Sequence, residues 1–291
     1  MTAATADATT RRTPPPQTAH RTPRRAMPLG TVGRIVVLAI AAFLTLGPVL
    51  WTLWTSLTPQ PIGGGESELG LSAYRDVFDQ VRMGLLIWNS ALVTGLVAVG
   101  QMFTAALAGY VFARMEFRGK RVLFGVILAT MMVPMQVTIV PVFMLIRGMG
   151  LSDTLLALIL PALPTAFGTF LMRQYFLGLP PELAEAAEID GASPFRTFSA
   201  IYAPLALPGL AIVGILAFNY HWNEFFRPLI LTISEENFTL PLGLVSLQGN
   251  LGTGSVATVL AGVVLSMIPA LAVFVLGQRP LREGLTAGTN K

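Results

Sequence analysis

Six long stretches of this sequence, residues 35–57, 83–113, 122–146, 154–172, 197–223 and about 256–276, contain no Asp, Glu, Lys or Arg. A helix needs about 20 residues, at 1.5 Å rise each, to cross a hydrocarbon layer about 30 Å thick. An ionised side chain at the centre of such a helix costs about 2.5–3.5 kcal/mol on insertion scales. Clean runs of this length predict an all-α integral membrane protein with six transmembrane helices. A charged fraction of 12% in 291 residues, against the roughly 25% usual in soluble domains, agrees with that. Pro134, Pro141, Pro161 and Pro164 lie inside predicted spans. Neighbouring helices in a bundle re-satisfy the backbone groups a proline frees, so kinks or breaks are expected there.

Cations set the direction of the crossings. The arginines of the first 34 residues, then Arg114, Arg118, Lys120, Arg121, Arg173, Arg196, Arg279, Arg282 and Lys291, fall on one side; only Arg75, Arg82, Arg147 and Arg227 fall on the other. The richer side is the cytoplasm, which places both termini there in a multi-pass protein. The net charge of +4 thus reports topology, and lipid is the expected partner, not nucleic acid. Residues 1–30 are rich in Thr, Ala, Pro and Arg and poor in large apolar groups, which predicts a disordered cytoplasmic tail ahead of a membrane domain over 31–291.

Little in the sequence points to chemistry of its own. With no cysteine there is no disulfide, zinc–thiolate or iron–sulfur site and no thiol nucleophile. There is no phosphate-loop, zinc-protease or dinucleotide motif, and His20 and His221 lie far apart, so neither a catalytic nor a metal site is expected. Gly63, Gly64 and Gly65 precede Glu66 and Glu68, which suits a flexible turn better than a phosphate cradle.

The informative segment is the predicted cytoplasmic loop at about 178–204. Pro180 and Pro181 suit a helix entrance, Glu182 and Glu185 suit its electropositive first turn, and Gly191 suits a left-handed stop. Pro194 then opens a second short helix. The expectation is a helix-turn-helix on the inner membrane face, with Glu182, Glu185 and Glu188 along one side and Leu183, Ala186 and Ala187 along another. With Asp190 this loop is net acidic on a basic side of the membrane. Two readings stand open: a solvated linker, or a docking knob on which small alanines admit a close partner and carboxylates meet its cations.

Glu185-Ala186-Ala187, Asp190-Gly191-Ala192, Phe198, Ile201, Pro204 and Pro208 resemble the EAA loop of permease subunits of bacterial ABC importers. Trp222-Asn223-Glu224-Phe225, Pro228-Leu229, Thr239-Leu240-Pro241, Gln278-Arg279 and Gly284-Leu285-Thr286-Ala287-Gly288 are similar to its carbohydrate branch, in particular the six-span maltose-type subunit. The resemblance implies the type I importer permease fold in a bacterial inner membrane and a partnership with a second homologous permease, two cytoplasmic ABC ATPases and an extracytoplasmic sugar-binding protein. It implies that ATP and Mg are bound on the ATPases, that this chain is not an enzyme and holds no cofactor, and that the loop is the lever through which ATPase closure moves the spans. It also implies ATPase contact for Thr286, Ala287 and Gly288, and, for Gly249, Asn250 and Gly252, a loop reaching the binding protein.

Several features remain ambiguous from residues alone. Met131, Met132, Met135 and Met144 read as adaptable packing. Ala105, Gly109 and Ala113 form a small-residue stripe for close helix contact, within the chain or with the second permease. Residues 220–224 are expected at the outer end of the fifth span, where aromatics anchor at headgroup level or stack on a sugar. The competing functions are an ion-coupled carrier, which would place ionisable residues at mid-membrane, a membrane-embedded enzyme, which would need clustered catalytic groups, and an ABC permease for a non-sugar solute.

Overall fold

The computed structural model describes residues 29–59, 69–249 and 255–287. Residues 1–28, the three glycines at 63–65, Asn250, Gly252 and Gly288 lie outside the described residues. All regular structure among the described residues is helical: α1 (Leu29–Leu57), α2 (Ser72–Gln80), α3 (Met83–Arg114), α4 (Lys120–Thr130), α5 (Met135–Gly148), α6 (Leu155–Ile159), α7 (Ala166–Leu177), α8 (Glu182–Ile189), α9 (Pro194–Thr197), α10 (Ala203–Leu205), α11 (Leu207–Trp222), α12 (Phe226–Leu231), α13 (Leu240–Gly243) and α14 (Val256–Ala287). The chain divides into two compact units, Met1–Pro48 and Val49–Lys291. In the first, Val37, Leu38, Phe43 and Leu44 of α1 are exposed, a surface suited to lipid and not to water. The second carries everything described below.

α1, α3 and α14 are each long and apolar enough to cross a bilayer. The other three predicted spans are broken. The first of them, α4 with α5, bends by 101°, so residues 122–146 are not the straight crossing their composition suggested. The cause is Pro134, which caps α5 in extended backbone at ψ 139° and cannot continue α4. Pro141, by contrast, is carried inside α5. Between α6 and α7 the bend is 40°, after a 3₁₀ turn at Leu160–Ala162 that contains Pro161. Thr165 restarts the helix there, its Oγ1 accepting from Gly168 N–H at 3.1 Å. A π-helical turn, Phe198–Tyr202, joins α9 to α10, and a further bend of 72° leads into α11.

The second unit is built on α3. Gly109 lies so close to α7 that an added Cβ would meet Met172 Cβ at 2.6 Å and Arg173 N at 2.9 Å, and Ala105 is fully buried. The small-residue stripe is therefore a contact within the chain, the short side chains letting α3 and α7 approach at backbone distance. Three apolar clusters follow along α3. One, around Met83, Leu86, Trp222, Leu240 and Ala261, ties in α2, α13 and α14. A second gathers Val93, Val97, Ile146, Leu158 and Leu231. The third, at the Arg114 end, gathers Tyr110, Met172, Phe176, Tyr202 and Leu210.

Between α5 and α6, Asp153 takes a left-handed conformation, φ 56°, and clasps the segment after α12. Its Oδ1 accepts from the N–H groups of Ile233 at 2.9 Å and Ser234 at 3.0 Å, and its Oδ2 from the Ser234 hydroxyl at 2.5 Å. These bonds, with the Ile233 amide the largest cause, hold the carboxyl down to about 2 from its ordinary 3.8. A lowered folded-state value means that the clasp stabilises fully above the ordinary carboxylate range and is lost as pH falls towards 2. The stability difference between the natural protein and Asp153→Asn, read from melting temperature in detergent, should be constant from pH 5 to 8 and shrink below pH 4. A difference unchanged down to the acid limit would show that the charge contributes nothing.

Candidate functional site

The loop singled out in the sequence folds as a helix-turn-helix with a complete stop signal. At the end of α8, Gly191 has φ 70°, its N–H donates to Glu188 O at 3.0 Å, and Ala192 N–H donates to Ala187 O at 2.9 Å. That pair of reversed bonds satisfies the last carbonyls of α8, and only a residue at ease in the left-handed region completes it. A Cβ on Gly191 would meet nothing within 4 Å, so the glycine is required by backbone angle and not by space. Ser193 then caps α9, its side chain accepting from Arg196 N–H at 3.3 Å, with Pro194 in the first turn.

α8 has an inner and an outer face. Ala187 is buried, and Leu183 and Ala184 pack against the cluster of Phe176, Tyr202 and Leu210. Glu182, Glu185, Ala186, Glu188 and Asp190 are exposed. Ala186 was expected with Leu183 and Ala187; it lies instead on the outer face, and Ala184, one position after Leu183, takes the inner place. The outer face also presents Ile189, 87% exposed, and beyond the turn Phe195, 73% exposed.

Beneath α8 sits a set of groups that sequence reasoning missed. The Arg114 guanidinium donates to the carbonyls of Phe176 at 2.6 Å and Leu179 at 2.5 Å, bracing the C-terminal end of α7 and the residues after it, and lies 5.1 Å from the centre of the Tyr202 ring. Tyr110 packs against Phe176, Phe198 and Tyr202 with ring centres 5.1–5.9 Å apart. The ends of α3 and α7 and the π turn thus form one block, and α8 rests on it. Arg114 counted in the sequence only towards topology; its place in the last turn of a long apolar helix was the available signal.

A second polar centre lies along α11. His221 Nδ1 is 2.8 Å from Glu224 Oε2, and Arg227 is 3.0 Å from Glu224 Oε1 as an ion contact without hydrogen-bond alignment. All three side chains are at most 9% exposed. Arg227 also donates to Leu158 O at 3.0 Å, while His221 Nε2 meets Gln101 Nε2 at 3.1 Å and Gln101 donates to Ala162 O at 2.8 Å. Gln101 belongs to the middle third of α3, so His221 reaches mid-span depth. Residues 220–224 were expected at the outer end of the fifth span, with their aromatics at headgroup level or stacked on a sugar; His221 lies beside the middle third of α3. The i, i+3, i+6 spacing of His221, Glu224 and Arg227 was a visible signal for this network.

The remaining candidate residues are less defined. Thr286 and Ala287 lie in the last turn of α14, and Gly249 ends the 3₁₀ turn Leu244–Gln248 with φ 67°. No described contact brings either set to α8.

Comparison with known proteins gives one family. Residues 101–282 match the family of binding-protein-dependent transport system inner membrane components. The chain is 32% identical to the arabinooligosaccharides transport system permease protein AraQ of Halalkalibacterium halodurans, over 86% of this chain and 92% of that one. It is 35% identical to the trehalose transport system permease protein SugB of Mycobacterium tuberculosis, over 84% and 92%. Among solved structures, a bacterial ABC transporter involved in the import of the acidic polysaccharide alginate contains a chain with TM-score 0.74 and 26% identity, over 86% of this chain and 96% of that one.

Proposed function

The chain belongs to the binding-protein-dependent transport system inner membrane components, and from that premise we propose that it is the permease subunit of an ABC importer carrying a sugar or oligosaccharide into the cytoplasm. The observation that carries the coupling mechanism is the α8 element: a capped helix with an acidic outer face, whose inner face rests on the block joining α3, α7 and the π turn. In this reading residues 178–204 are the coupling loop of a membrane domain over 31–291, preceded by a cytoplasmic tail, and both termini face the cytoplasm in a bacterial inner membrane.

The force then follows a physical route. Two ATPase subunits bind ATP and Mg and close on each other, and a cleft on one of them holds α8. Glu185 pairs with a basic ATPase residue, Ala186 admits the cleft wall, and Ile189 and Phe195 supply apolar anchors. Asp190 and Gly191 fix the angle between α8 and α9. Displacing α8 displaces Leu183 and Ala187, and with them α7 and α11, the two helices packed along α3. A second permease completes the path, and an extracytoplasmic binding protein delivers the sugar, with Gly249, Asn250 and Gly252 facing it and Thr286, Ala287 and Gly288 facing the ATPases.

Because the chain has no cysteine, Glu185→Cys would be its sole thiol. Oxidative cross-linking of that residue to a cysteine scanned along the ATPase cleft should give one adduct of permease plus ATPase mass, sensitive to ATP. A cysteine at Glu185 that cross-links to no ATPase position would remove α8 as the docking element.

A further inference from the structure

Resting on the reading of this chain as a sugar permease, we infer that the chain itself contacts its cargo, a neutral carbohydrate, through a cavity beside α11 walled by Gln101, Thr165, Phe167, Asn219 and Tyr220. The cavity measures about 610 Å³, inside the range of about 300–1,000 Å³ usual for small-molecule sites. Its depth follows from Gln101, in the middle third of α3, which meets His221 at the cavity wall.

At that depth lipid offers no hydrogen-bonding partner, and a polar side chain that faces hydrocarbon is costly. Yet Asn219 is exposed and its side chain makes no hydrogen bond to another described residue, and the adjacent Tyr220 is 55% exposed. This face of α11 is therefore built for water and a polar solute. The chemistry narrows the solute. An amide both donates and accepts, as sugar hydroxyls do, and the open rings of Tyr220 and Phe167, the latter 46% exposed, suit the C–H faces of a pyranose or furanose. The cation at the wall, Arg227, is already paired with Glu224 behind it, which leaves no unpaired cation there to hold a carboxylate. Through Gln101 and His221 the same network fixes the cavity floor to α3 and to the α6–α7 turn.

The test uses the complete complex with its cognate binding protein in proteoliposomes. The probe is the sugar that copurifies with that binding protein, identified by mass spectrometry and added back in labelled form. Asn219→Leu combined with Tyr220→Leu should lower sugar carried per ATP hydrolysed by about tenfold, the scale of one lost hydrogen bond and one stacking contact. Tyr220→Phe alone keeps the ring and should stay near the natural ratio. Asn219→Cys, the sole thiol of its chain, should react with a membrane-impermeant maleimide, and saturating probe sugar should slow the reaction. An unchanged ratio in the double variant, an Asn219→Cys thiol that does not react, or an acidic copurifying sugar would overturn the inference. Loss of copurifying subunits in the double variant would also overturn it, by assigning this face to packing against the second permease. Failure of the underlying reading looks different: the natural complex would then show no ATP-dependent uptake at all.

Discussion

Gly191→Pro should abolish the stimulation of ATP hydrolysis by sugar-loaded binding protein while the complex still assembles. Proline is held near φ −65° and has no N–H, whereas Gly191 has φ 70° and donates to Glu188. The substitution therefore removes both the angle between α8 and α9 and one of the two bonds that close the turn. The apolar contacts of Leu183 and Ala187 with the block beneath are untouched by it, which is why assembly should survive. Gly191→Ala serves as the graded control. Space for a methyl is open there, so its cost is the left-handed backbone alone, about 1–2 kcal/mol. Stimulation should be weakened by alanine and lost with proline. Full stimulation in the proline variant would show that the turn transmits nothing.

Glu224→Ala should be strongly destabilising. It strands Arg227, 9% exposed, without its counter-charge and takes from His221 its 2.8 Å partner, and breaking a buried pair from one side costs about 3–5 kcal/mol. Low yield and a lowered melting temperature in detergent should follow. Replacing both charges is expected to be milder, because no uncompensated ion is left behind. The double variant Glu224→Gln with Arg227→Met should lose less than the sum of the two single variants by about 1–3 kcal/mol. Additive losses would mean that the two charges do not support each other.

The pattern of bare apolar runs and the punctuation of the coupling loop were both legible in the sequence, for the same reason: each is local. Charge exclusion reports the solvent around a helix, and Pro181, Gly191 and Pro194 act within one or two turns of themselves. The three straight helices and the turn after α8 follow from those signals. Features that depend on contacts remote in sequence were not legible. Pro134 marked a break, but not the 101° through which the chain turns there. Ala186 faces outward because a helix of eight residues is oriented by the block it rests on, which takes up Leu183, Ala184 and Ala187.

The buried network was the larger surprise. An ion-coupled carrier would place ionisable residues at mid-membrane, and the fold sets His221 beside Gln101 with Glu224 and Arg227 joined to it. Kinship to sugar permeases along most of their length decides between the two, and the network takes the part of a structural tie between α3, α11 and α12.

The most direct measurement of the central claim is uptake of labelled sugar into proteoliposomes that contain the full complex, with binding protein on one side and ATP on the other. The account predicts uptake that requires both, persists when proton and sodium gradients are collapsed, and disappears with Gly191→Pro. Uptake driven by an ion gradient without ATP, or undiminished in the Gly191→Pro complex, would contradict it.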